Sequence, residues 1–92
     1  MAEAIYKVHG GKMLRAEVRV EGGRIKEARI TGDFFLHPEE NISKIEQLFA
    51  GRSIPLDFEA CRETLSLELS EAQLIGASPE DIVTVVRMAC GE

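Results

Sequence analysis

The side chains able to do chemistry are few and scattered along the chain. His9 and His37 lie in turn-like segments flanking a strand pair, with Asp33 between them in sequence. Two imidazoles and a carboxylate could hold a metal, but a zinc site usually carries closely spaced ligand pairs, and none is written here. Both histidines are therefore expected as surface residues. Cys61 and Cys90 have 28 residues between them, which suits neither a metal-ligand motif nor a redox pair. Cys61 falls on the apolar stripe of a helix, the common place for a structural cysteine. It also lies near that helix's start, where a thiolate could be stabilised, but the stripe favours burial. Cys90 sits two residues from the end and is expected to fray. No acid–base pair, activated nucleophile or metal set emerges.

Two other segments are more suggestive. In Gly10-Gly11-Lys12, two glycines expose backbone N–H groups and the lysine could meet a phosphate or carboxylate. The run lacks the full phosphate-loop pattern and precedes a strand, so a plain Gly-Gly turn with a solvated lysine is the better account from these residues alone. In Gly32-Asp33-Phe34-Phe35, consecutive phenylalanines point to opposite faces of a regular strand. Either one aromatic is exposed as an interface anchor, or both pack under the following helix as the chain crosses over.

These segments hang on a strand-then-helix order. Ala4 to Val8 reads as a short strand ended by the glycine pair. Lys12 to Glu21 alternates, with Leu14, Ala16, Val18 and Val20 on one face and Arg15, Glu17, Arg19 and Glu21 on the other. A period of two with one charged face marks a half-buried antiparallel strand. Gly22-Gly23 suits a tight hairpin. In the returning strand, Ala28 and Ile30 have the opposite parity to Ile25, which a bulge near Lys26-Glu27 would repair. That register would set Glu17 opposite Arg29; a three-residue loop is the rival account.

Helical spacing follows. Pro38 suits a first helical turn with Glu39 and Glu40 near the positive end of the dipole. Ile42, Ile45, Leu48 and Phe49 form the stripe, and Gly51 follows as a C-terminal cap. A second helix begins near Asp57 with Phe58, Cys61, Leu65 and Leu69 on its apolar face. Residues 66–77 are least readable: the helix is expected to about Leu69, then a loop around Gly76. Ser78, Pro79 and Asp81 write a capped helix start, with Ile82, Val86 and Ala89 buried and Val83 and Val85 beside them. The expected fold is α+β, a single domain over 1–92, with a three-stranded antiparallel sheet and about three helices packed on one face.

Charge limits the partners. The chain carries 11 Lys plus Arg against 16 Asp plus Glu, a formal net charge of −5. Residues 53–92 hold 2 basic and 8 acidic side chains, against 9 and 8 in residues 1–52. With one Tyr, no Trp and no basic stripe, nucleic acid is excluded as an expected partner. No apolar run reaches membrane-spanning length, and Met1-Ala2-Glu3-Ala4 lacks a leader's basic and apolar regions. The expected location is cytoplasmic.

Taken in order, Lys7-Val8-His9-Gly10-Gly11-Lys12-Met13-Leu14, Gly23-Arg24-Ile25, Ile30-Thr31-Gly32-Asp33-Phe34-Phe35, Pro38, Ile42, Ile45-Glu46, Leu48 and Gly51 resemble the C-terminal domain of lipoate-protein ligases. The second half of the chain shares only helical character with it. A chain that starts at Met1 and holds this domain alone resembles the separate small subunit of a two-component ligase. The resemblance implies a two-step reaction: lipoate and ATP give lipoyl-adenylate and pyrophosphate, then the lipoyl group passes to a lysine of a lipoyl domain. It further implies a catalytic ligase subunit as direct partner and lipoyl-domain proteins as indirect ones. ATP, magnesium and lipoate are expected in that partner, with no cofactor held by this chain alone. Gly10, Gly11, Lys12, Asp33, Phe34 and Phe35 are the expected partner- or adenylate-proximal residues. The fold also resembles iron–sulfur assembly scaffolds and sulfur-acceptor proteins, which need a reactive cysteine on an exposed loop and further thiol ligands.

Overall fold

Alternation in the first third of the chain produces a sheet with one dry face. A computed structural model describes residues 2–8, 10 and 12–91. Strands β1 (Ala2–Lys7), β2 (Met13–Glu21) and β3 (Arg24–Gly32) are antiparallel, in the order β1-β2-β3. Leu14, Ala16 and Val18 are fully buried and Val20 half-buried, while Arg15 and Arg19 face solvent. The expected bulge is present. Val20 faces Ile25 but Arg19 faces Glu27, so Lys26 is the extra residue that brings Ala28 and Ile30 back to the core face. Glu17 does lie opposite Arg29, although the charges close along other lines. Arg29 Nε is 3.6 Å from Glu27, and Arg15 Nη2 is 3.7 Å from Glu17.

After β3 the chain forms β4 (Phe35–His37), α1 (Asn41–Phe49), α2 (Phe58–Glu68), β5 (Gln73–Ile75) and α3 (Pro79–Ala89). The helix expected to open at Pro38 starts at Asn41 instead. A residue before proline is held extended, and His37 is accordingly the last residue of β4. The Asn41 and Ile42 N–H groups donate to the Pro38 and Glu39 carbonyls, each at 3.1 Å, so residues 38–40 make a tight turn leading into the helix. Glu39 and Glu40 thus stand outside the first turn, and no side chain caps α1.

The other two helix starts are capped as their sequences dictate. Asp57 accepts from the Ala60 N–H at 3.1 Å. Ser78 and Asp81 cap each other reciprocally, with Asp81 N–H to Ser78 Oγ at 3.2 Å and Ser78 N–H to the Asp81 carboxylate at 2.9 Å. The segment expected as a loop around Gly76 contains β5, which pairs antiparallel with β4. Three residues of alternation were too few to read as a strand without knowing their partner.

The helices cover the inner face of the sheet. α3 packs on β1 and β2, α1 on β3, and α2 against α1 and α3. The core between them holds Leu14, Val18, Ile25, Ile45, Phe49, Cys61, Leu65, Ile82 and Val86, none measurably exposed. Each large apolar side chain so buried contributes about 1.5–3 kcal/mol. Arg62 bridges α2 and α3, 2.9 Å from Glu59 and 3.9 Å from Glu80, and Arg87 lies 5.0 Å from the Phe58 ring centre. Its contacts with Glu59, then Glu80 and Glu63, hold the Arg62 guanidinium above the usual arginine range. Among the described residues, no helix is long and apolar enough to cross a membrane.

The two edges of the sheet differ. On the β3 side, the Gly51 N–H donates to the Ile25 carbonyl at 2.7 Å, and Ile25 N–H donates to the Arg52 carbonyl at 2.9 Å. Further along, Glu46 of α1 accepts from the Ile30 N–H at 2.9 Å. These contacts close an edge that would otherwise present unsatisfied backbone groups. β1 has no comparable cover among the described residues.

Candidate interaction site

The two segments singled out in the sequence meet at one end of the sheet. β1 returns to β2 through a turn in which the Val8 N–H donates to the Lys12 carbonyl at 2.7 Å. Directly after Lys12, the Met13 carbonyl accepts from the Asp33 N–H at 2.8 Å, which stitches the glycine turn to the start of the Asp33-Phe34-Phe35 run. Gly10 is exposed in the left-handed region at φ 99°, and Lys12 is exposed. Gly11 and His9 lie outside the described residues, so the metal-holding arrangement of His9, His37 and Asp33 lies outside them too. His37 itself is exposed at the end of β4, opposite Gln73.

Gly32 makes the junction possible. Its φ is 154°, and a Cβ there would come 2.3 Å from the Met13 carbonyl oxygen and 3.0 Å from Leu14 Cα. The backbone of β2 therefore passes too close for any side chain. Gly76, directly after β5, also sits tightly: its φ is 95°, and a Cβ there would meet the Asp33 carbonyl oxygen at 3.1 Å. Two glycines thus clamp Asp33 and Phe34 between the sheet and the β4–β5 ribbon.

That clamp resolves the Phe34-Phe35 pair. Phe34 is half-buried and packs against the core, whereas Phe35 is 76% exposed. Cross-strand from Phe35 sits Ile75, itself 55% exposed. On the neighbouring outer face of the sheet, Ile5 and Met13 are also exposed. A hollow of about 400 Å³ is lined by Ile30, Thr31, Gly32, Phe34, Phe35, Leu36, Glu39 and Ile42. A second, about 270 Å³, is lined by Ile5, Met13, Leu14, Arg15, Thr31, Gly32 and Asp33. They meet at Thr31 and Gly32, and both are open to solvent. Neither Gly10 nor Lys12 lines either hollow.

Beside these hollows Arg15 carries a fixed charge. The Arg15 side chain bonds Glu3, which raises its pKa above the usual arginine range, with the charges of Glu3 and Glu17 adding to the effect. Aromatic and aliphatic anchors flanked by a guanidinium and carboxylates suit contact with another protein surface. Among the described residues no group of three or more metal-ligating side chains is found. Cys61 is wholly buried and Cys90 half-buried against the core, where the sulfur-handling alternative needs an exposed cysteine.

Sequence reasoning missed Ile5, Met13 and Ile75. A signal existed for the first two: both are apolar residues on the charged parity of their strands. Ile75 gave none, because its role depends on the pairing of β5 with β4.

Residues 7–86 match the family described as the bacterial lipoate protein ligase C-terminus. The chain belongs to this family. Lipoate-protein ligase A subunit 2 of Thermoplasma acidophilum is 30% identical over 76 residues, covering 83% of this chain and 78% of the archaeal one. The fold is similar, at a TM-score of 0.70 and 26% identity, to a solved chain from a Thermoplasma acidophilum lipoylation system. That system comprises a bi-partite lipoate protein ligase and its E2 lipoyl domain. The match covers 92% of this chain and 97% of the solved one. The lipoate-ligase family therefore stands on the whole sheet-and-helix unit, including the helical half that the sequence resemblance alone left unmatched.

Proposed function

We propose that this chain is an accessory subunit that binds a separate catalytic lipoate-protein ligase subunit and enables its ATP-dependent adenylation of lipoate. The observation that carries the reading is the correspondence, across most of both chains, with an archaeal protein named as the second subunit of such a ligase. The exposed Phe35–Ile75 pair, with Met13 nearby, supplies an anchor surface for that subunit. ATP, magnesium and lipoate bind in the partner, whose activated acyl group then passes to a lipoyl domain.

Lys12 and Asp33 flank the same end of the sheet, where a cation could meet a phosphate oxygen or an acidic group of the partner. Losing a partly buried charged contact costs about 1.5–3 kcal/mol, or about ten- to a hundred-fold in affinity or rate. The test mixes catalytic subunit, lipoate, ATP and magnesium, and follows pyrophosphate release with the wild-type chain, with Lys12→Ala, or with neither. Acyl transfer is followed separately from preformed lipoyl-adenylate. Adenylation is expected to require the wild-type chain and to slow about tenfold or more with Lys12→Ala. Full-speed adenylation by the catalytic subunit alone would end the accessory reading. A Lys12→Ala chain equal to wild type would remove only the lysine's role.

A further inference from the structure

In β1 the groups that face β2 and the groups that face outward are fixed by the register. Val8 donates to Lys12, so Tyr6, Ala4 and Ala2 turn their backbone groups toward β2. Glu3, Ile5 and Lys7 then point their N–H and C=O groups away from the sheet, and no backbone partner for them is found among the described residues. Their side chains lie on the outer face, where Glu3 and Lys7 are exposed and Ile5 is 55% exposed. A free edge of this length is a template for one more strand, and charged residues ordinarily guard it.

The guard here has a particular symmetry. An antiparallel strand suited to this edge would carry a cation opposite Glu3, an apolar residue opposite Ile5 and an acid opposite Lys7. Read in the reverse direction, β1 itself is that strand.

We infer that two copies of this chain pair through β1, on a two-fold axis at Ile5, to give a continuous six-stranded sheet. Ile5 meets its own copy, and Glu3 meets Lys7 twice. The outward groups of the two strands close about six backbone hydrogen bonds. The helical layer accommodates this. α3 packs on both β1 and β2; with strands about 4.8 Å apart, a helix over their midline comes about 10 Å from its copy. That is ordinary helix spacing. Met88 of α3, 40% exposed, lies in this layer. Such an interface is isologous and closed, so it stops at two copies.

The test is sedimentation equilibrium of the chain alone from micromolar to millimolar concentration. The wild type is expected to pass from monomer to dimer. Ile5→Pro removes an N–H that faces water in the monomer, and an edge strand tolerates it; it is expected to stay monomeric with an unchanged circular dichroism spectrum. Lys7→Glu sets like charges opposite each other twice and is expected to weaken the dimer about tenfold. Adding Glu3→Lys to Lys7→Glu is expected to restore it, which keeps the question decidable if the proline variant does not fold. A monomer at every concentration would overturn the pairing, as would a dimer indifferent to the charge variants. If the wild-type chain alone stays monomeric while the catalytic ligase subunit forms a one-to-one complex with it that Ile5→Pro abolishes, the edge receives a strand of that subunit and self-pairing is wrong. The measurements on the chain alone contain no ligase, so their failure leaves the accessory role standing.

Discussion

On the outer face of the three-stranded sheet, the solvent-facing row includes Arg15, Glu17, Arg19, Glu27 and Arg29, linked by ion pairs of 3.5–4.0 Å with Glu21 included. On the adjoining β4–β5 ribbon, the corresponding outward pair is Phe35 opposite Ile75. Both surfaces sit on paired antiparallel strands, yet one is chosen for water and the other is not. Exposed charge pairs of the first kind add little to stability and mainly keep a face wet. An exposed aromatic beside an exposed isoleucine gains little from folding, which is why the contact proposed with the ligase subunit is placed there. A two-stranded ribbon is also marginal by itself. This one is held by Leu36, Leu74 and the two glycine clamps around Asp33 and Phe34.

The largest effect expected would erase the comparison by unfolding both regions together. Phe49→Ala empties a fully buried site between α1 and the sheet. It is expected to cost about 3–5 kcal/mol in a urea melt. Loss of the β4–β5 ribbon alone, with the sheet intact, would show that the two regions fold independently.

Next comes the clamp. Gly32→Ala places a Cβ against the Met13 carbonyl, and is expected to cost about 1–3 kcal/mol. Because Asp33 hangs on Met13, hydrogen exchange at the Asp33 amide should accelerate more than at Val18 in the middle of β2. Equal acceleration at both amides would mean the strain spreads through the whole sheet.

Smaller still is the effect on stability of Phe35→Ala, within about 0.5 kcal/mol by thermal melting. A large loss there would return Phe35 to the core and dissolve the contrast between the two surfaces. Smallest is Arg19→Ala on the charged face, whose guanidinium is exposed and, among the described residues, pairs with Glu21 and Glu27. Its melting temperature is expected to match wild type.

The same contrast explains what the sequence made legible. β2 and β3 could be read to within about a residue, with a bulge near Lys26-Glu27 set against a three-residue loop, because long alternation against a buried layer leaves one register that keeps apolar side chains dry. The helix start near Asp57 and the capped start at Ser78 were equally readable, since the signals are local. The start of α1 was not: Pro38, Glu39 and Glu40 fit a first turn in isolation, but β4 holds the chain extended up to His37. β5 was missed because Gln73–Ile75 is too short to announce a strand, and its pairing is set by a partner more than thirty residues away. For the site, Asp33-Phe34-Phe35 stood out by its adjacent aromatics, and the structure decided which one faces out. Ile75 became part of it only through its tertiary neighbours.

The central claim is that the apolar end of the molecule, and not its charged face, meets the catalytic ligase subunit. Isothermal titration of that subunit with wild type, Phe35→Ala and Arg19→Ala tests it most directly. The account predicts one-to-one binding by the wild type, a loss of about 2 kcal/mol or more (about thirty-fold in Kd) for Phe35→Ala, and wild-type affinity for Arg19→Ala. Undiminished binding by Phe35→Ala, with Arg19→Ala weakened, would contradict it.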